Sequence, residues 1–335
     1  MDKVIKQVVG IDVSCKKFDV CFQEQTQTGS LSIKGTRSFS NDLKGFKDYL
    51  IWFSKRKKEV YLVHIMEATG VYHENLCYFL FEQQEKVSVQ LAQKIKYFGK
   101  SLHQKTKTDK ADAKLIALFG FSFSVALWEP ISEHFQAIKD LCRMLSQLKK
   151  SKSATQSQLH AFESKHGVLE EVLTIMNKLL VQQEDSINEC EKEIKLWVSK
   201  DKDLEEKINR ITAIKGIQML TVVKLLAETD GFRKCSSIRK LVSYAGLDVV
   251  ENQSGTKSGR TRISKKGNSH IREALYMPAL CASRFDQRMK TFYKRLNEKQ
   301  NTKKQGVIAV MRKLLIVIYT LWKNEQQYNP EYQWK

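Results

Sequence analysis

The chain has 335 residues, which is enough for two or three domains with a large buried core. Lys and Arg number 57 against 37 Asp and Glu, so the formal net charge is +20 and a polyanionic partner such as nucleic acid is expected. The absence of a secretory signal pattern and of any apolar run of eighteen residues predicts a cytoplasmic protein. The seven cysteines form no C-x-x-C pair, which favours free thiols over a structural zinc site.

Residues 5–115 alternate strand and helix signals. Strands are predicted at "KQVVGIDVS", "KFDVCFQEQ", "SLSIKGTRSF", "EVYLVHIMEA" and "KVSVQLAQ". Helices are predicted at "NDLKGFKDYLIWFSKR", with Asn41 as the N-cap, at "YHENLCYFLFEQQ", and around Asp109 and Asp112. Three strands followed by alternating helix and strand is the order of an RNase H-like fold, although other mixed α/β sheets fit the pattern as well.

Residues 131–205 almost lack glycine and are rich in leucine and charge. Their apolar residues follow a 3-4 spacing with one polar interruption near Gln183, and they are Leu169, Val172, Met176, Leu179, Ile187, Cys190, Ile194 and Trp197. The segment "SKHGV" around Gly167 predicts a turn. A helical hairpin that dimerises through a coiled coil is therefore expected, and the alternative is a hairpin that packs only on its own chain.

Residues 206–325 form a third, mainly helical region. The segment "ITAIKGIQMLTVVKLLAETDGF" predicts two helices joined by a turn at Gly216, which is similar to a helix-hairpin-helix whose turn binds phosphate. Residues 255–320 hold sixteen Lys and Arg against three Asp and Glu, a density that favours contact with phosphates. The apolar run "VIAVMRKLLIVIYTLW" is interrupted by Arg312 and Lys313 and predicts a buried helix.

Four acidic residues from three segments carry the candidate chemistry. Asp109 and Asp112 are three residues apart and share a helix face, although such pairs are usually solvated residues at a helix start. Asp12 lies in an apolar strand, where a carboxylate without a partner is costly, and Glu67 ends the fourth strand. If the three segments meet, these acids form one pocket suited to Mg²⁺, with Mn²⁺ as the alternative. The neighbouring lysines expected to face the polyanion are Lys105, Lys107 and Lys110.

In this order the motifs resemble the DEDD-type insertion-sequence transposases, a family that includes the pilin-gene inversion recombinases and the bridge-RNA-guided recombinases. The matching segments are "GIDVSCKKFDV", "MEATGVYHENL", "KTDKADAKLIA", "IKGIQMLTVVKLLAE", "LVSYAGL", "QSG" and "ISKKGNSHIREAL". The resemblance covers essentially the whole chain. It implies a RuvC-like catalytic domain at 1–130, a dimerising helical linker at 131–205 and a C-terminal transposase domain at 206–325.

The resemblance also implies a catalytic serine that is followed by glycine and precedes the I-S-K-x-G-N motif. Ser254 matches by order and spacing, whereas Ser258 lies too close to Ile263. Without the resemblance, a Ser-Gly pair indicates only a loop. Family members commonly have a proline soon after A-G-L, and "AGLDVVENQSG" lacks it, which puts the local loop shape in doubt. The basic residues expected to contact nucleic acid near the serine are Lys257, Arg260, Arg262, Lys265, Lys266 and Arg272.

The implied function is a DNA recombinase that mobilises its own insertion sequence. By resemblance, the metal-bound acids and Ser254 would form a composite site to which different subunits contribute the two domains. Ser254 would form a 5′-phosphoserine link, and a structured noncoding RNA would select donor and target DNA. The implied partners are DNA, this guide RNA and further copies of the chain, as a dimer or tetramer on the nucleoid. Two alternatives stay open: a metal-dependent nuclease or junction resolvase that uses water, and a catalytically silent nucleic-acid-binding protein. The acids weigh against the silent protein, because without a metal they weaken phosphate binding.

Overall fold

A computed structural model describes residues 2–68, 70–103, 108–259, 261–298 and 302–329. The chain divides into two compact units, Met1–Pro130 and Ile131–Lys335.

The first unit is built on a five-stranded sheet in the order β3-β2-β1-β4-β5. The strands are β1 (Val4–Val13), β2 (Lys17–Thr26), β3 (Leu31–Ser40), β4 (Tyr61–Ala68) and β5 (Val87–Leu91). The first three pair as antiparallel neighbours, whereas β4 joins the free edge of β1 in parallel and β5 continues in parallel. This order is the RNase H-like arrangement of RuvC-like proteins, so the predicted fold class is confirmed.

Helices cover both faces of the sheet. They are α1 (Leu43–Ser54), α2 (Glu74–Glu82), α3 (Ala92–Ser101) and α4 (Asp109–Ser122). Because side chains alternate along a strand, Val9 and Ile11 of β1 pack with α1 and α2, whereas Val8 packs on the opposite face with α3 and α4. Each face of the sheet therefore has its own apolar core.

Two local predictions in this unit are wrong. The N-cap of α1 is Asp42, whose Oδ1 accepts a hydrogen bond from the Gly45 amide at 2.8 Å. The side-chain amide of Asn41 instead donates to the carbonyls of Ser14 and Tyr72, which ties two loops together. The strand predicted through Gln93 ends at Leu91, and α3 begins at the next residue.

The second unit is helical except for a small β region. Its helices are α5 (Glu133–Glu163), α6 (Glu170–Ser199), α7 (Lys202–Thr212), α8 (Met219–Thr229), α9 (Ile238–Tyr244), α10 (Ser269–Phe285), α11 (Gln287–Asn297) and α12 (Lys303–Asn324). Its short strands are β6 (Val249–Val250), β7 (Gln253–Ser254), β8 (Lys257–Ser258) and β9 (Arg262–Ile263). One apolar core runs from the α5–α6 hairpin to α12. It therefore contains residues of both predicted regions, 131–205 and 206–325.

The predicted apolar seam of α6 divides into two halves. Ile187, Cys190 and Ile194 are buried in the core of the unit, and this half packs on its own chain. Towards the hairpin turn, Leu169 is 68% exposed and Leu179 is 42% exposed. Between the halves, Gln183 donates to Ser151 and Thr155 of α5, which makes a polar layer at the predicted interruption.

Among the described residues, α12 is the one helix long and apolar enough to cross a membrane by length and composition. Half of its most apolar window is buried within the second unit, where Val310, Leu314 and Ile318 belong to the core. The helix is therefore packed as a core helix of this unit, the arrangement predicted from its interrupting charges.

Candidate active site

The start of α4 lies on the sheet because small residues allow a close approach. A side chain at Gly10 of β1 would collide with the backbone of Ala113 and Ala117 of α4, so glycine is required at this crossing. At the far end of the helix, Lys6 Nζ donates to the Gly120 carbonyl at 2.6 Å. Since residues two apart on a strand share a face, Asp12 projects on the same side as Gly10, towards the first turn of α4.

Alternation along the strands brings all four predicted acids to this face. Glu67 is two residues after Ile65, which packs against Gly120 of α4. Asp109 and Asp112 occupy the first turn of α4, where the helix dipole favours carboxylates, and Thr108 Oγ1 caps the helix by accepting from the Ala111 amide. The acids from three distant segments therefore converge at one end of the sheet.

The pKa of Asp12 indicates that these carboxylates lie close enough to interact electrostatically. Burial, followed by repulsion from Asp112, Asp109, Glu67 and Asp19, raises the pKa of Asp12 from 3.8 to about 6. Removal from water and the proximity of other negative charges both disfavour an ionised carboxylate, and both act on Asp12. Asp12 is therefore the centre of the acidic cluster.

Two residues of this cluster were missed in the sequence. Asp19 of β2 pairs directly with Asp12 across the β1–β2 ladder, is 5% exposed, and accepts a hydrogen bond from Ser38 Oγ. Lys17 Nζ donates to Asp19 Oδ2 at 3.0 Å and to Asp109 Oδ2 at 2.8 Å. The hydrogen bond to Asp109 makes the largest contribution to the raised pKa of Lys17, and the bond to Asp19 adds to it. Lys17 in turn lowers the pKa of Asp109. The signal used for Asp12, an acid inside an apolar strand, was present at Asp19 in "KFDVCF".

The cluster fits a divalent cation in chemistry and in charge. Carboxylate oxygens are the ligands that Mg²⁺ and Mn²⁺ prefer, and a bound cation would favour the charged form of Asp12, whose pKa is raised by burial and by the neighbouring acids. Within the described parts of the chain, however, no three acidic, histidine or cysteine side chains are already gathered as a metal-binding group. The fit to a divalent cation therefore rests on the chemistry of the carboxylates.

The pKa of Asp12 predicts how stability without metal depends on pH. The folded protein holds this proton up to a pH of about 6, so protonation of Asp12 stabilises the fold below pH 4 and that contribution is lost as the pH rises through 6. Each pKa unit corresponds to about 1.4 kcal/mol, and the partial exposure of Asp12 reduces the effect, so we expect Asp12→Asn to stabilise the protein by about 1 to 2 kcal/mol at pH 7.5. Denaturant unfolding in EDTA at pH 4 and pH 7.5 measures it. A gain of equal size at both pH values would contradict the prediction.

In the second unit, Ser254 lies at the tip of a two-stranded arm formed by residues 248–259 and 261–264, here called the hairpin arm. β6 pairs with β9 near its base, and β7 pairs with β8 near its tip, where Ser254 is opposite Lys257. Gly255 follows with a φ of +56° and opens a two-residue turn, the glycine-first pattern of type II′ hairpins. Ser254 is exposed, and among the described residues, apart from the two chain neighbours of Gly255, none lies within 4 Å of the position that a side chain at Gly255 would take.

The hairpin arm is anchored by two glycine-containing loops packed backbone to backbone. A side chain at Gly267 would collide with the Tyr244 carbonyl and the Gly246 amide, which explains the glycines of "YAGL" and "KKGN". Ser264 bonds to Asp248 through both its amide and its hydroxyl, which closes the base of the arm. The segment "DVV" therefore begins the arm at the place where a proline was expected.

The predicted nucleic-acid-binding residues have different surroundings. Lys110, Arg262, Lys265 and Lys266 are exposed, and Lys265 has a φ of +53°. One guanidinium nitrogen of Arg272 donates hydrogen bonds to the carbonyls of Ala245, Gly267 and Asn268. Arg272 therefore supports the loop at the base of the arm. Lys257 lies on β8, whereas the predicted residues outside the described parts of the chain are Lys105, Lys107 and Arg260.

Gly216 has a packing role that the sequence did not reveal. It has a φ of +91° in the turn between α7 and α8, as predicted for this position. A side chain there would press on Cys281 of α10, with the two Cβ atoms 2.9 Å apart. Close approach of the turn to α10 accounts for the glycine without a ligand.

A buried ion pair organises the start of α10. Glu228 is 4% exposed and accepts two hydrogen bonds from Arg143 of α5, at 2.8 and 2.9 Å. Asn268, which caps α10, donates to the same carboxylate at 2.7 Å. Burial opposes the charge, but these hydrogen bonds lower the pKa of Glu228 and keep it ionised. The ion pair between Arg143 and Glu228 therefore joins α5 to the loop that carries Lys265 and Lys266.

The first unit has the sheet order of the RNase H-like fold, with four acidic residues on one face of the sheet. Family models described as a DEDD-type IS110 transposase and as "Transposase IS116/IS110/IS902 family" match residues 9–163 and 208–294, respectively. The chain belongs to the IS110 family of insertion-sequence transposases. Membership implies a DNA-cleaving recombinase, with DNA as its substrate.

Relatives match over about two thirds of the chain or more. The pilin gene-inverting protein of Moraxella bovis is 31% identical over 97% of this chain and 98% of its own length. The transposase of insertion sequence IS1111A from Coxiella burnetii is 22% identical over 66% of this chain and 68% of its own. Among solved structures, Thermus thermophilus RuvC bound to a Holliday junction substrate is 11% identical, with a TM-score of 0.28, and the match covers 36% of this chain and 99% of that one.

Proposed function

We propose that this recombinase cuts DNA with Ser254 as the nucleophile and with a divalent ion held by Asp12, Glu67, Asp109 and Asp112. The observation that carries the serine role is the place of Ser254 at the exposed tip of the hairpin arm, before a glycine turn. A nucleophile for a phosphodiester in duplex DNA must reach the backbone without obstruction, and the arm tip meets that requirement. The convergence of the acids on one face supports the metal role.

The proposed step exchanges one phosphodiester bond for another. The Ser254 oxygen loses its proton and forms a bond to phosphorus, the bond from phosphorus to the 3′ oxygen breaks, and a proton ends on that oxygen. The product is a 5′-phosphoserine link and a free 3′ hydroxyl, so the later joining step needs no ATP. Arg262, Lys265 and Lys266 are exposed on or beside the arm, and their charges would stabilise the phosphorane. A divalent ion bound to the acids would supply further electrostatic stabilisation of the attacking and leaving oxygens.

Two further partners belong to the proposal. The net charge of +20 suits a guide RNA as well as DNA, and the family resemblance favours a structured noncoding RNA that pairs with donor and target. The exposed apolar half of α6, with Ile175 at 65% and Val181 at 62%, supports contact with a second copy of the chain, and a tetramer would bring two DNA partners together.

A covalent protein–DNA product tests the central claim. Wild-type protein, guide RNA, Mg²⁺ and end-labelled donor DNA are incubated, and the products are separated on a denaturing gel. A labelled band that carries protein and disappears after protease treatment is expected. Cleavage without any such band would show that water is the nucleophile and that the protein acts as a RuvC-like nuclease.

The exposed lysines beside the arm should provide salt-dependent affinity for DNA. For duplex DNA the logarithm of the binding constant falls with the logarithm of salt concentration by about 0.9 for each neutralised phosphate. Replacement of Lys265 and Lys266 by Gln should flatten this slope by about 1 to 2. Fluorescence anisotropy from low to moderate salt measures it. The matched control replaces Lys192 and Lys195 of α6 by Gln, and an equal change in both double variants would show a general charge effect only.

A further inference from the structure

Lys17 joins two elements of the acidic cluster that are far apart in the chain. It lies at the start of β2, and Asp109 is the first residue of α4, 92 positions later. Its ammonium is 2.8 Å from Asp109 Oδ2 and 3.0 Å from Asp19 Oδ2. A single positive charge therefore bridges the sheet and the helix that carry the proposed metal ligands.

Asp19 fixes this lysine in place. The Asp19 side chain is 7% exposed, one of its oxygens accepts from Ser38 and the other accepts from Lys17. By contrast, the side chains of Lys17 and Asp109 are 48% and 57% exposed. The buried carboxylate thus docks the ammonium on the acidic face, and the more exposed Asp109 is held there through it.

We propose that Lys17 competes with the divalent ion for the carboxylate of Asp109. This inference rests on the proposed metal site. The Lys17 ammonium and the divalent ion both need the Asp109 carboxylate, and the ion brings twice the charge, so loading of the site displaces Lys17 from Asp109. Lys17 then sets the ion concentration at which the site fills.

The size of the effect follows from the exposure of the pair. Ion pairs with this much solvent contact are weak and screened, so removal of Lys17 should tighten ion binding by about two- to fivefold. Mn²⁺ is the probe, and its dissociation constant is measured by calorimetry on the metal-free full-length protein. Lys17→Met removes the positive charge and keeps a side chain of similar length, whereas Lys17→Arg keeps the charge. Lys16→Met makes the same substitution at the exposed neighbouring residue and is the control.

The expected pattern is tighter Mn²⁺ binding in Lys17→Met, with Lys17→Arg and Lys16→Met close to wild type. Melting temperatures should agree: Lys17→Met is slightly less stable in EDTA, and Mn²⁺ raises its melting temperature more than that of wild type. Unchanged or weaker binding in Lys17→Met overturns the competition while the metal site survives. Wild-type protein that binds no Mn²⁺, or binds it as well after Asp12→Asn, overturns the metal site itself and the competition with it.

Discussion

Ser254→Ala should reduce recombination to background and remove the covalent protein–DNA product. The change deletes one hydroxyl at the tip of the hairpin arm and leaves the glycine turn, the paired strands and every acidic residue in place. DNA and RNA binding should stay near wild type, because one neutral hydrogen bond contributes only about 0.5 to 1.5 kcal/mol. Denaturing gels of labelled donor DNA measure the adduct, and anisotropy measures binding.

Ser258→Ala is the matched control for this experiment. Ser258 also precedes a glycine on the same arm, but it lies on the returning strand, paired with Gln253 rather than next to the turn. This variant should keep both the adduct and recombination. An adduct that persists in Ser254→Ala, or is lost only in Ser258→Ala, would falsify the assignment of the nucleophile.

Short-range patterns predicted most of the fold. The alternation of apolar residues located all five strands of the first unit, and the loss of glycine located the α5–α6 hairpin with its turn at Gly167. Where neighbouring signals compete, the prediction was wrong. The run "KVSVQLAQ" continues a strand pattern into α3, and the adjacent residues Asn41 and Asp42 are both good caps, so only the geometry decides between them.

Individual residues of the candidate site could be predicted from the sequence, but the contacts between them could not. Asp12 was recognised because a carboxylate in an apolar strand is costly, and Asp19 carries the same signal but was read only as part of the strand pattern. The bridge from Lys17 to Asp109 depends on how α4 lies over Gly10, and no local pattern encodes a contact across 92 residues. Likewise, the pair Ser254–Gly255 indicates a loop in the sequence, whereas its place at the tip of a paired arm depends on Gly246 and Gly267.

Asp12→Asn should abolish DNA cleavage while nucleic-acid binding stays nearly intact. The amide is close in size to the carboxylate but removes the negative charge at the centre of the acidic cluster. Burial and the other acids raise the pKa of Asp12 to about 6. Loss of electrostatic stabilisation at a reacting phosphate of this kind costs about 100- to 1,000-fold in rate. No exposed basic residue is changed, so affinity for DNA should not fall. Single-turnover cleavage at pH 7.5 over a series of Mg²⁺ concentrations measures the loss.

The two acids of α4 extend this prediction. Asp109→Ala and Asp112→Ala should each lower cleavage in the same way, because both repel Asp12 and both lie in the first turn of the helix. Asp48→Ala is a suitable control, since Asp48 is an exposed acid on α1, which packs on the opposite face of the sheet. If only one of the two α4 variants loses activity, the other aspartate is a helix-start residue without a catalytic part. Wild-type turnover by Asp12→Asn in Mg²⁺ would rule out the metal site altogether, whatever the result for Ser254.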